Sequence, residues 1–156
     1  MRWLITGGCG FIGANLVADL LAAGGQEVRV LDDRSAGADS LRALGIDATR
    51  LALWEADVRD AAAMVEAARG ADAVVHLAGA TGVAGSLADP GGDARANVLG
   101  TLGVLEAART AGARVVLAST TAPLTGDAPA LTNAPCPVPR VPNGPRKLVA
   151  EAYCNP

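Results

Sequence analysis

The chain has 156 residues, a net charge of −3, 51% hydrophobic and 19% charged residues; that is enough for one well-buried core and too little for a second of ordinary size. This composition excludes a disordered chain, and the lack of any Lys/Arg block excludes the counterion-releasing surface on which nucleic-acid binding depends. Aromatics supply only 3% while alanine occurs 34 times, so the core must come from small and β-branched side chains that let helices lie close on a sheet.

Residues 2–5 read as a short apolar strand that reaches glycine too soon for a signal segment, and no later apolar run approaches membrane length. A cytoplasmic chain is the expectation. Immediately after that strand comes Thr6-Gly7-Gly8-Cys9-Gly10-Phe11-Ile12-Gly13, which opens a predicted helix over 11–24. Gly8, Gly10 and Gly13 satisfy G-x-G-x-x-G, in which the first glycine makes a tight turn, the second admits a pyrophosphate to backbone amides, and the third lets helix meet sheet. Gly7, Gly10 and Gly13 satisfy the variant in which the first spacing is three.

A second strand at 28–31 ends in Asp32 and Asp33. Asp32 stands 19 residues beyond Gly13, where an acid can accept from the adenosine ribose hydroxyls and would repel a 2′-phosphate. That favours NAD over NADP, with the adjacent Arg34 softening the preference. A loop acid or helix cap is the plainer reading of Asp32. Further strands are predicted at 50–53, 73–77 and 114–118, and helices at 38–44, 60–69 and 92–111, the last with an apolar stripe through Ala96, Leu99, Leu102 and Leu105. Alternating strands and helices with no repeat predict an α/β, doubly wound, parallel Rossmann-type sheet of order 3-2-1-4-5 in three layers, one dinucleotide-binding domain over 1–156. Seven of the nine prolines fall between Pro123 and Pro145, so a proline-rich, irregular active-site loop is expected over 120–145 before a last helix at 146–154. Cys9, Cys136 and Cys154 are odd in number and far apart, and His76 is the single histidine, which argues against a disulfide frame or a metal site.

Six segments in order resemble the extended short-chain dehydrogenase/reductase superfamily, in its NAD-dependent epimerase/dehydratase branch that includes UDP-galactose 4-epimerase: Thr6 to Gly13, Leu31-Asp32-Asp33, Ala56-Asp57-Val58-Arg59-Asp60, Val75-His76-Leu77-Ala78-Gly79, Asn97-Val98-Leu99-Gly100-Thr101 and Ala118-Ser119-Thr120. The resemblance implies that Gly7, Gly10, Phe11, Ile12, Gly13, Asp32 and Asp33 hold the cofactor, that Asp57 meets the adenine amino group with Val58 beside the ring, and that Ala78 and Gly79 line the nicotinamide ribose, with Asn97 in the helix behind. The plainer readings are that Asp57 caps the next helix and that His76 is a satisfied core histidine, to which no role is given.

The resemblance then breaks. Val141-Pro142-Asn143-Gly144-Pro145-Arg146-Lys147-Leu148 is similar to the family's Tyr-x-x-x-Lys segment, with Lys147 at the lysine and Asn143 where the tyrosine belongs. Thr120 is the implied hydroxyl partner, ahead of Thr121. An amide has no proton to exchange near neutral pH, so Asn143 can orient a hydroxyl but cannot act as its base. The one tyrosine, Tyr153, follows Lys147 by six residues, about 240° around a helix and on another face. Relatives also continue beyond this point with a substrate-binding region. Two readings stay open: an NAD-binding protein whose tyrosine-dependent hydride chemistry is lost or altered, serving as non-redox enzyme, partner subunit or binding module; or an active epimerase, dehydratase or reductase using Thr120 and Lys147 on a small molecule, with a sugar nucleotide the implied class. A remnant without ligand ranks last. The resemblance further implies a homodimer through helices 92–111 and 146–154, with Leu99, Leu102, Leu148 and Val149 at the interface; packing of these helices on their own sheet is the alternative.

Overall fold

The structure, a computed structural model, describes residues 1–35, 40–47, 51–119 and 143–154, the side chains of the last span from 146 onward. Its sheet has five strands, β1 (Arg2–Thr6), β2 (Glu27–Asp32), β3 (Ala52–Glu55), β4 (Ala73–His76) and β5 (Arg114–Leu117), all parallel and in the order β3-β2-β1-β4-β5. This is the doubly wound Rossmann-type order expected from the alternating pattern.

Successive strand side chains point to opposite faces, and the central strands have both faces covered, so consecutive apolar residues divide between two cores. Leu4, Leu31 and Val74 join Val58, Met64, Ala67, Val104 and Ala107 in one core, while Ile5, Val30 and Val75 join Cys9, Ala14, Val17 and Leu41 in the other. Helices α1 (Phe11–Ala23) and α2 (Ser40–Ala43) supply the second core; α3 (Ala61–Ala68) and α6 (Gly100–Ala111) supply the first. Alanine makes the first core thin. Ala67, Ala68, Ala107 and Ala108 are all buried where α3 and α6 meet, and a Cβ on Gly100 would lie 2.8 Å from Val58 Cγ2. α3 starts where Asp60 Oδ1 accepts from the amides of Ala62 (3.0 Å) and Ala63 (3.1 Å).

Several boundaries differ from the expectation. The third strand is Ala52–Glu55 rather than 50–53, because Trp54 and Glu55 pair with Leu31 and Asp32 at the tip of β2; the edge position tolerates a glutamate that an apolar-run criterion discards, and Arg50 lies outside the described residues. The helix expected over 92–111 is three pieces: α5 (Pro90–Ala94), a π turn (Arg95–Leu99) and α6. Asp89 starts it by accepting from Gly92 N–H at 2.8 Å, with Pro90 in the first turn. The stretch at 81–90, outside every predicted element, contains α4 (Val83–Ala88). The last helix, α7 (Asn143–Cys154), begins three residues before the expected start, since Gly144 and Pro145 fall in a first turn that needs no amide donors. Most of the proline-rich stretch lies outside the described residues. Among those described, no helix is long and apolar enough to cross a membrane, and no group of three His, Cys, Asp or Glu could hold a metal ion.

Candidate cofactor cleft

The order β2-β1-β4 reverses direction at β1, and the crevice beyond the carboxyl ends of β1 and β4 is where sheets of this kind receive ligands. The glycine loop fills one wall. Gly7, not Gly8, makes the turn: its φ is +73°, its amide donates to Leu31 O at 2.9 Å, and a Cβ on it would lie 2.6 Å from Ala78 N. Gly8 is needed for space, because a Cβ there would meet Val30 Cγ1 at 2.6 Å, and Gly13 lies so close to the loop that its Cβ would meet Gly7 O at 2.3 Å. The spacing Gly7, Gly10, Gly13 is thus the operative one. Gly10 caps α1 without a side-chain partner and no acid occupies the first turn, so the helix N-terminus presents backbone donors and positive dipole to the cleft. Phe11 and Ile12 beside it are 80% and 65% exposed, too open for core residues.

Asp32 is buried at the tip of β2, and its carboxylate takes one backbone amide on each oxygen, Cys9 N–H at 2.9 Å and Arg34 N–H at 2.7 Å. Each oxygen keeps a lone pair for a further donor. The acid therefore tethers the glycine loop to β2, a bond that no sequence spacing reveals. Arg34, held at φ 55°, pairs with Glu55 at 3.2 Å, which places another negative charge on the β3 side of the cleft. Asp33 is exposed and accepts from Ser35 N–H at 2.9 Å. Asp57 is not the cap of α3, which is Asp60; it is gripped by Arg59, whose Nε lies 2.8 Å from Oδ1, and this guanidinium holds the carboxyl below the ordinary carboxylate range. Val58 is buried against α6.

The other wall follows β4. Ala78 N–H donates to Thr6 Oγ at 3.4 Å, and a Cβ on Gly79 would lie 2.5 Å from Asn97 Oδ1. Asn97 is buried in the π turn, with Nδ2 donating to Asp93 O (3.0 Å) and Ala80 O (3.3 Å). His76 is buried between Thr6 Oγ (2.7 Å from Nδ1) and Thr101 Oγ (3.1 Å from Nε2), the satisfied core histidine of the plainer reading. Burial, with a smaller effect from Lys147, lowers its pKa to about 4.

Lys147 is half-buried on α7, and burial followed by the neighbouring Arg146 lowers its pKa, against an opposing pull from Glu151. Arg146 is buried and ion-paired with buried Asp93, a link from α7 to α5 that sequence reasoning missed; Asp93 stands one helical turn before Asn97, which was the available signal. Ser119 at the end of β5 hydrogen-bonds Glu151. Tyr153 is 58% exposed. Thr120 and Thr121, and the side chain of Asn143, lie outside the described residues; so does Cys136, while Cys9 is buried in the core and Cys154 half-buried.

The profile of the NAD dependent epimerase/dehydratase family matches residues 3–156. A dTDP-glucose 4,6-dehydratase of Mycolicibacterium smegmatis is 42% identical over 121 residues, 77% of this chain and 36% of that protein. A UDP-glucose 4-epimerase of the same organism is 39% identical over 160 residues, 99% of this chain and 50% of that protein. Among solved structures, a dTDP-glucose 4,6-dehydratase from Streptomyces venezuelae with NAD bound superposes at TM-score 0.87 with 34% identity, covering 97% of this chain and 50% of that one. A UDP-glucose 4-epimerase of Thermus thermophilus in complex with NAD does so at 0.80 with 35% identity, over 98% and 49%. The chain thus spans half or less of the length of these relatives. The glycine turn, packed too closely against Ala78, Val30 and its own backbone for a Cβ at residues 7, 8 or 13, and the uncapped α1 amides fit the diphosphate of NAD. The chain belongs to the NAD-dependent epimerase/dehydratase family.

Proposed function

We propose that the chain is one dinucleotide-binding domain that holds NAD and accepts a sugar nucleotide, and that its tyrosine-dependent hydride chemistry is lost or altered. The observation that carries this reading is an intact cradle, with Asp32 tied to it, combined with Asn143 four residues before Lys147. In it, the amides of the Gly7 to Gly13 turn hold the diphosphate, Asp32 accepts from the adenosine ribose, and Asp57 and Val58 flank the adenine. Ala78, Gly79, Asn97 and Lys147 surround the nicotinamide ribose. NAD, when bound, supplies a hydride acceptor. Residue 143 carries an amide where the family has a phenol, so no group at that position draws the proton from a substrate hydroxyl.

Calorimetric titration with NAD, followed by UDP-glucose or dTDP-glucose with the near-ultraviolet absorbance and proton spectrum recorded, tests the reading. Binding of NAD without turnover is the expected outcome. Turnover favours the second reading, in which Thr120 and Lys147 carry an active epimerase or dehydratase, a reading supported by the lowered pKa of half-buried Lys147. Absence of NAD binding overturns both. Replacing Asn143 by Tyr restores a titratable hydroxyl and is expected to raise the exchange rate. A homodimer through the helical run 92–111 and the last helix, 146–154, belongs to the same proposal, supported by Leu99 and Val149, 53% and 40% exposed.

A further inference from the structure

The π turn Arg95–Leu99 interrupts an otherwise α-helical run, and such turns need something to hold them in place of the regular ladder. Here Thr101 Oγ–H donates to Asn97 O at 2.6 Å. That proton is the hydroxyl's only one, so toward His76 Nε2, 3.1 Å away, Thr101 must accept. The imidazole therefore carries its proton on Nε2 and leaves Nδ1 bare, and Nδ1 accepts from Thr6 Oγ–H at 2.7 Å. Thr6 Oγ in turn accepts from Ala78 N–H at 3.4 Å. Thr6 and His76 are register partners on β1 and β4. One directional line of hydrogen bonds thus runs from the backbone after β4, through the sheet, to the carbonyl of Asn97.

At the far end, Asn97 has its amide orientation set by two carbonyl acceptors, Asp93 O and Ala80 O, so Oδ1 must point away from them. It faces Gly79, and among the described residues it is buried without a hydrogen-bond partner. A buried acceptor in this state is poised for a donor that arrives with a ligand.

We infer that His76 is a positioning residue: through Thr101 it holds the π turn, so that Asn97 Oδ1 projects toward Gly79 at the nicotinamide end of the cleft. The inference rests on the reading that this cleft takes NAD. Its physical basis is that an imidazole fixed as the Nε2–H form joins two strands and a helix with a bond at each nitrogen. The charged ring would have to place a second proton against Thr6 Oγ. Lys147 on α7 is the charged group that acts on the ring, and it too disfavours imidazolium.

Nitrogen-15 spectra of the imidazole in the full chain test the tautomer: a neutral ring, protonated at Nε2, from about pH 5 to 8 is expected. A ring protonated at Nδ1, or one that titrates near its ordinary pKa, overturns the inference. Titrations with NAD and with ADP-ribose then separate the nicotinamide end from the rest. Thr101→Val and His76→Leu are expected to weaken NAD roughly tenfold and ADP-ribose less than about twofold, with Thr101→Ser close to the parent chain. Equal effects on both ligands, or none, sink the positioning role. If the parent chain binds neither ligand, the cofactor reading falls, and the Asn97 side-chain amide resonances decide instead: movement in Thr101→Val but not Thr101→Ser upholds the positioning role, and no movement refutes it.

Discussion

Asp32 ties the glycine loop to β2, and in the proposed function it also accepts from the adenosine ribose. Its place at the tip of β2 follows from the strand pattern and the interval from Gly13, and this much was readable in the residues. Its bond to Cys9 N–H was not, because it joins positions 23 apart through folding of the loop back over the sheet. Asp32→Ala is therefore expected to weaken NAD by about tenfold or more, since a charge-assisted hydrogen bond is lost and the loop is released together. Calorimetry with NAD measures it; unchanged affinity would contradict the ribose contact. NADP is expected to bind far more weakly than NAD, because in the proposed pose Asp32 meets a 2′-phosphate with like charge while Arg34 is paired with Glu55. His76 sets a pH response. Its folded pKa of about 4 lies below the ordinary 6.5, so between these values the unfolded chain binds a proton that the folded one refuses. Stability is full above about pH 6.5 and falls by about 3 kcal/mol as the pH drops toward 4. Urea midpoints across that range check it, and His76→Gln should flatten this part of the profile.

At the scale of elements, the strands were legible because short Val, Leu and Ile runs covered on both faces leave little other interpretation, and the central ones came out within a residue or two. The edge strand β3 slipped by two because one of its faces tolerates polar residues. The π turn was invisible: residues 95–99 continue the apolar helical stripe, and the groups that meet the turn from other strands and loops, His76 through Thr101 and Gly79 against Asn97, are not neighbours in the sequence. The cap of α3 is a local feature of the opposite kind. Asp60→Ala is expected to cost about 1 kcal/mol by leaving the Ala62 and Ala63 amides without their acceptor, read as a lower melting temperature with NAD affinity unchanged.

For the whole molecule, Leu99 on the π turn with Val149 and Tyr153 on α7 forms an exposed apolar set, Val149 and Tyr153 being one helical turn apart. The homodimer proposal predicts that sedimentation of the parent chain gives twice the monomer mass and that Val149→Asp gives the monomer; a parent chain that sediments as a monomer would refute it. The order of the strands could be derived from the alternation of strands and helices, and the glycine turn after β1 and the acid at the tip of β2 from spacing within one strand, turn and helix, where backbone geometry leaves few alternatives. Tertiary structure alone decided which glycine makes the turn, that Asp93 meets Arg146, and that His76 links Thr6 to Thr101. Those choices hang on close approach of segments far apart along the chain, which the burial of many small side chains together determines and no local pattern records.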